Sequence, residues 1–409
     1  MNAADTVWIL ISSALVMLMT PGLALFYGGM ARRNNLLSTI MMSFSALGVI
    51  GILWVLYGYS LAFAPDLGGF IGGLNHLGLM DVGQEPSSIY ASTVPHLAFM
   101  VFQGMFAIIT VALITGAVVE RMKFSALLIF SILWLTLIYC PVAHWVWGDG
   151  GWLAGIGALD FAGGAVVHIN AGVSALTLVI LLGPRRSFPK KITEPNNIPM
   201  VVLGAGLLWF GWFGFNAGSA LTADGLATSA FVATNISAAS AAATWMVISW
   251  IHRRPSLLGV ITGAVAGLVS ITPAAGFVSP IAAVPIGIIA AFISYYSIVL
   301  IKTKLNIDDS LDVFAVHGMG GIWGALATGI FATLAVNPRG ASGLIEGNGT
   351  QVLIQLVSIV TVAAFAFAGT WILARLIDMM IGLRVGQKEE MVGLDLSQHG
   401  ERAYGGSLR

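Results

Sequence analysis

Charge is what this sequence has least of: Asp, Glu, Lys and Arg make up 9% of its 409 residues, while 57% are hydrophobic. Soluble domains usually carry about 25% charged residues, so lipid must be the solvent for much of this chain. Cysteine is nearly absent, and the single Cys140, set in an apolar stretch, excludes an internal disulfide framework and a cysteine metal cluster. Net charge is zero, which gives no basic surface for nucleic acid. A long polar segment is missing, so no second soluble domain is expected. The N-terminus MNAADTVWIL has neither a positive n-region nor a small-residue cleavage site after its apolar run, so no removable signal peptide is expected. Nucleophile–base motifs, clustered metal ligands and cofactor loops are lacking too, and the reading is of no enzyme, no cofactor and no metal. A TVGYG run, which a potassium filter would require, does not occur.

What is abundant is apolar length. A bilayer core of ~30 Å needs roughly 20 apolar residues per helix. Runs of that kind fall near 7–30, 36–63, 89–117, 124–147, 161–182, 198–219, 226–251, 257–272, 280–301, 313–335 and 351–382. The sequence therefore predicts an all-α polytopic membrane protein of eleven transmembrane helices. The eighth is short and ends at Thr272-Pro273. Glycine numbers 50, which suits helices packed closely inside lipid.

Basic residues set the orientation. The odd-numbered loops carry Arg32, Arg33, Arg121, Lys123, Arg185, Arg186, Lys190, Lys191, Arg253, Arg254, Lys302 and Lys304, and the tail adds Arg384, Lys388, Arg402 and Arg409. Thus 16 of 18 basic residues share one side, with Arg339 opposite and Arg375 inside the last helix. The expectation is an outer N-terminus and a cytoplasmic C-terminus. The even loops hold Asp66, Asp81, Glu85, Asp149, Asp160 and Asp224, either as ordinary loop solvation or as a faintly acidic entrance for a cation.

An internal echo divides the chain as five plus five plus one. Val167-His168-Ile169-Asn170-Ala171-Gly172 and Val316-His317-Gly318-Met319-Gly320-Gly321 share the pattern V-H-x-x-[AG]-G. Each follows an aspartate, Asp160 and Asp312. Helices five and ten run in opposite directions, so the echo predicts an inverted repeat, about 7–182 and 198–335, with a last helix at 351–382. Together these form one membrane domain, 1–382, followed by a tail, 383–409. Such repeats place a transport site at their interface near the midplane.

Ionisable residues at membrane depth are costly and usually face a cavity or pathway. His168 and His317 lie well inside their spans, and a neutral imidazole both donates and accepts a hydrogen bond. The pair lines a narrow polar pore, or relays a proton, or consists of two separate core histidines bonded to backbone. In Gly211-Trp212-Phe213-Gly214-Phe215-Asn216-Ala217-Gly218-Ser219, the aromatics read as an interfacial belt or as a shaped mouth. Phe106, in Gln103-Gly104-Met105-Phe106, and Trp147 are further candidates for desolvating a small cation on aromatic faces, worth about 2 kcal/mol or more once water is excluded.

These segments make the chain resemble the ammonium transporters of the Amt/Mep/Rh superfamily, and its bacterial and archaeal Amt branch most closely. The resemblance spans nearly the whole chain. It runs through 20–29 (TPGLALFYGG), 160–170 (DFAGGAVVHIN), 211–219 (GWFGFNAGS), 312–318 (DVFAVHG) and the tail 393–404 (GLDLSQHGERAY). It implies that Trp147, Phe106 and Ser219 recruit ammonium on the outer side and that Phe106 and Phe215 form a stacked gate. It further implies that His168 and His317 line the pore, that Asp160 and Asp312 give structural support, and that Trp212 flanks the pathway. A homotrimer in the cell membrane, and a trimeric PII signalling protein as partner at the cytoplasmic face, are implied likewise. The expected mechanism is recruitment of NH4+, deprotonation, passage of NH3 and separate, electrogenic movement of the proton. An electroneutral NH3 channel and an ammonium sensor are the alternatives.

Overall fold

The computed structural model describes residues 1–189, 194–252 and 254–405; Lys190, Lys191, Arg253 and Arg409 lie outside them. Ten of its helices are long and apolar enough to cross a membrane. They are α1 (Ala3–Met30), α2 (Arg33–Phe63), α3 (His96–Val118), α4 (Phe124–Gly155), α5 (Gly164–Leu182), α6 (Ile198–Gly218) and α7 (Gly225–His252), with α9 (Pro280–Lys304), α10 (Phe314–Phe331) and α11 (Thr350–Ile381). Between α7 and α9 lies the shorter apolar α8 (Leu257–Ile271), which stops beside Thr272-Pro273 as the sequence predicts. Two short helices, α12 (Gln387–Val392) and α13 (Leu394–His399), follow in the tail.

Helix starts follow their capping residues. Asn2 accepts from the backbone N–H groups of Ala4 and Asp5, so α1 begins several residues before its apolar run. Asn197 does the same for Met200, and Ser256 for Gly259. The third span begins later than its apolar run, because Pro86–Ser87 and Ala91–Pro95 pair as an antiparallel hairpin. Proline disfavours a helical residue before it but suits the first turn, so the helix opens at His96. The tenth span ends at Phe331, earlier than the apolar run, which continues into turns.

The most extensive helix contact joins α1 to α6, the first helices of the two proposed repeats. Gly259, Gly263 and Gly267 of α8 lie against Trp245, Ala241 and Ser237 of α7, where an added Cβ would meet atoms at 2.5–2.9 Å. That is the close approach small residues permit in lipid. The basic loops converge on one end of the bundle. There Arg32 pairs with buried Glu120 at 2.7 Å, and Arg185 bridges Glu120 at 3.3 Å and Asp308 at 2.8 Å. Burial alone would raise the Asp308 carboxyl, but the hydrogen bonds and charge of Arg185 hold it below the usual range. The tail seals this end: Asp395 accepts from the Ser38 N–H at 2.7 Å, at the start of α2, and Arg384 binds Glu390 at 2.9 Å.

Candidate functional site

The site grows from two helix starts. Asp160 precedes α5, and its two carboxylate oxygens accept the N–H groups of Gly163, Gly164, Ala165 and Val166 at 2.5–3.1 Å. One side chain thus satisfies all four donors that a helix N-terminus leaves unpaired. The turn requires Gly163, which has φ +114°, a value L side chains rarely adopt. The first stretch of α5, Gly164–Ile169, is wound as a π-type turn and carries His168; Phe314–Gly318 of α10 is wound likewise and carries His317. Wide turns of this kind re-aim side chains and gather at functional sites.

The two helices cross on glycine. A Cβ on Gly172 would stand 2.3 Å from the Gly318 nitrogen, and one on Gly321 would stand 3.0 Å from the Gly164 oxygen and the His168 Cβ. Gly172 and Gly321 each lie four residues after their histidine. Each packs on the other helix's histidine segment, the reciprocity that a two-fold relation between the halves requires.

The crossing brings the histidines together. Nδ1 of His317 lies 3.3 Å from Nδ1 of His168, and the rings stack at 5.3 Å between centroids with 21° between planes. Facing Nδ1 atoms can share only one proton: one donates while the other accepts. Nε2 of His168 is buried without a partner. The space beside the pair is lined by Leu23, Phe26, Ile109, Leu113, Leu208 and Val265, and it measures about 10 Å³, scarcely room for one water molecule.

Aromatic rings continue the line away from the histidines. Trp212 stacks on His168 at 5.5 Å, its indole N–H fixed to Thr272 Oγ1 at 2.8 Å. Phe215 lies 6.1 Å from His168 and stacks on Phe106 at 4.3 Å. Phe106 and Phe215 are each 1% exposed, and their rings stand between the space beside the histidines and a second cavity. Phe213 turns away to stack on Phe231 at 4.0 Å, so only two of the three aromatics in that motif face the passage.

Beyond the phenylalanine pair lies a cavity of about 330 Å³ lined by Gln103, Phe106, Trp147, Phe161 and Ser219, among others. Trp147 stands edge-on to Phe106 at 5.8 Å and donates its indole N–H to the Asp160 carbonyl at 2.8 Å. Ser219 donates its hydroxyl to the Phe215 carbonyl at 2.9 Å, which leaves the oxygen lone pairs as acceptors. Gln103 Oε1 is buried without a hydrogen-bond partner. Two acceptors among aromatic rings, with no anion among the lining residues, suit a small N–H donor cation. Sequence reasoning assigned Gln103 no role; its signal is a polar side chain one helical turn before Phe106.

The aspartates behave differently from the sequence pairing. Asp312 does not stand in the register of Asp160; it has φ +63° and pairs with Lys302 at 2.7 Å. The residue eight before His317, as Asp160 is eight before His168, is Asp309. Its Oδ2 accepts the Phe314 N–H at 2.7 Å, five residues on, as Asp160 does with Ala165. Asp312 does stand at the start of its helix, but a motif with only its histidine aligned does not fix which nearby carboxylate caps the helix.

Among the described residues no group of three or more His, Cys, Asp or Glu side chains is placed to hold a metal ion. The profile of the Ammonium Transporter Family matches residues 7–404. An ammonium transporter of Bacillus subtilis is 50% identical over 409 residues, all of both chains. The crystal structure of Candida albicans Mep2 superposes with a TM-score of 0.90 at 40% identity, over 98% of this chain and 90% of that one. A structure described as a sensor Amt protein has a TM-score of 0.90 at 28% identity, over 97% of this chain and 98% of that one.

Proposed function

The chain belongs to the ammonium transporter family, and from that premise we propose that it recruits NH4+ at Phe106, Trp147, Ser219 and Gln103 and moves it inward as NH3 plus a proton. The observation that carries this reading is the order of parts along one line. An acceptor-lined aromatic cavity stands above a stacked phenylalanine gate, and the gate stands above a shared-proton histidine pair in an apolar passage.

Magnitudes favour deprotonation. Moving a bare ammonium-sized ion into a low-dielectric interior costs on the order of 20 kcal/mol in the idealised limit. An alkylammonium with a pKa of about 10.4 loses its proton at pH 7 for about 4.6 kcal/mol. Ammonium is the same class of acid, so it enters more cheaply as NH3. Potassium has no proton to shed and meets the full penalty. The proton released at the gate reaches the unpartnered His168 Nε2, and the single proton between the Nδ1 atoms passes it on to His317, so net transport is electrogenic. Asp160 holds the Trp147 indole and the start of α5 in place, and Trp212 fixes the His168 ring.

The reading also places the N-terminus outside and the basic end, with the tail, in the cytoplasm of a multi-pass cell-membrane protein. It makes 7–182 and 198–335 the two repeats, the chain a homotrimer and the cytoplasmic face the docking surface for a PII protein. These assembly and partner assignments rest on the family. Purified protein in liposomes on a solid-supported membrane, pulsed with ammonium and then potassium, tests the mechanism. The native chain should give an ammonium-specific transient that His168→Ala/His317→Ala loses or renders unselective. Alkalinisation of the lumen without current would mean a neutral-gas channel, and binding without either signal would mean a sensor.

A further inference from the structure

The helix that carries His317 opens on a carboxylate that the scheme above leaves unused. Asp309 is fully buried. It matches Asp160 in register but not in bonding. Both oxygens of Asp160 are occupied by backbone N–H groups, so a proton there would displace two hydrogen bonds. Asp309 commits Oδ2 to the Phe314 N–H and lies close to the Val313 N–H, while Oδ1 is buried with no hydrogen-bond partner among the described residues. A charged oxygen left bare in the interior is costly, and protonation is the direct relief.

The groups around it are Asp312 on the same turn, Lys302 of α9 held to Asp312 at 2.7 Å, and Arg121, which donates to Ser310 Oγ and the Asp308 carbonyl at 2.6 Å. Tyr27 of α1 donates its hydroxyl to the Leu113 carbonyl of the passage wall at 3.1 Å. Burial first, and the Asp312 charge second, push the Asp309 carboxyl up to about 6. His317 lies eight residues on, across the turn at 309–312 and the first turn of α10.

We infer that Asp309 is the inner proton acceptor of the pathway, taking the proton from His317 on Oδ1 and delivering it to the cytoplasmic side. The inference rests on the histidine relay proposed above. The carboxylate gains one proton to become the acid, then returns it to bulk water and is again the carboxylate. NH3 leaving the passage takes up a proton from the same water, so charge and protons balance over one cycle. Asp309 and His317 make no direct hydrogen bond, so the transfer uses a short file of waters as carrier.

Asp309→Asn separates the roles, since an amide oxygen still accepts the Phe314 N–H but cannot bind a proton. In proteoliposomes with the inner pH stepped from 5 to 8, the native current should inflect near pH 6. In Asp309→Asn it should fall at least tenfold and lose that inflection, with potassium still excluded. Asp309→Glu, which keeps the proton site, should recover part of the current with a displaced inflection. Ammonium-induced infrared difference spectra of the native chain should show a protonated-carboxyl band that Asp309→Asn lacks, a readout a simple helix cap would not move. If Asp309→Asn keeps native current and pH profile, the inference is overturned while the relay stands. If the native chain gives no current at all, the relay reading fails first. Should Asp309→Asn not assemble, an unshifted inflection in Asp309→Glu or no titrating carboxyl band in the native chain overturns the assignment.

Discussion

Gly172→Ala tests whether the crossing of the two halves sets the geometry of the histidine pair. An added Cβ would stand 2.3 Å from the Gly318 nitrogen, 2.4 Å from its Cα and 3.1 Å from the His317 carbonyl carbon, where ordinary contact begins at 3.4 Å. These are backbone atoms with no rotamer to change, so α10 must retreat by about 1 Å at the residue next to His317. If that retreat lies along the histidine contact, the 3.3 Å separation becomes about 4.3 Å and the hydrogen bond is lost. Overpacking costs about 1–3 kcal/mol, which a protein this extensively buried should survive. Misplacing reacting groups by about 1 Å can cost as much as 10²-fold in rate. The expected outcome is protein that inserts and purifies but gives an ammonium current reduced at least tenfold. Gly48→Ala, at an exposed helical glycine with nothing within 4 Å of its Cβ, should match the native chain. A crystal or cryo-electron structure of the variant would show the wider pair directly. A native current from folded Gly172→Ala would refute the claim that glycine contact at this crossing positions the pair.

Removing the four-fold acceptor, Asp160→Ala strands buried N–H groups at about 1–3 kcal/mol each, and detergent-stable protein should fall sharply, as fluorescence-detected size exclusion would show. Asp160→Asn should retain more. Gln103→Leu or Ser219→Ala removes one acceptor worth about 0.5–1.5 kcal/mol; half-saturation for ammonium should rise by roughly two- to tenfold in current titrations, with potassium still excluded. Asp308 is held below the usual carboxylate range, so its pairing stabilises in full above the unfolded pKa of about 3.9 and is lost as pH falls through the lowered folded value. Melting temperature in detergent should therefore drop on acidification below about pH 4 more steeply for the native chain than for Asp308→Asn.

Much of this architecture is legible in one dimension because lipid imposes its own periodicity. A span has to be long and apolar, its end basic or acidic, and both properties are local. Even the short eighth helix could be read from Thr272-Pro273. The twin V-H-x-x-[AG]-G motifs marked two histidines that the fold brings face to face, since an imidazole in an apolar span has few reasons to be there. Less legible was everything set by capping and side-chain direction. Residues 89–95, most of them in the second strand of the hairpin, looked apolar enough to belong to α3. Phe213 and Phe215 have the same composition signal, yet one meets Phe231 and the other Phe106. Gln103 carries no signal of its own until a cavity forms beside it.

The sequence alone determined solvent, span order and the sharing-out of charge between alternate loops, because each follows from the free energy of transferring single residues between water and lipid. Only the tertiary structure decided that Nδ1 meets Nδ1 at 3.3 Å, that Phe106 covers Phe215, and that Asp309 rather than Asp312 answers to Asp160. Those outcomes depend on how two π-wound helix starts cross at glycine, a contact between residues 146 positions apart, Gly172 and Gly318. No local property of either segment contains the position of the other.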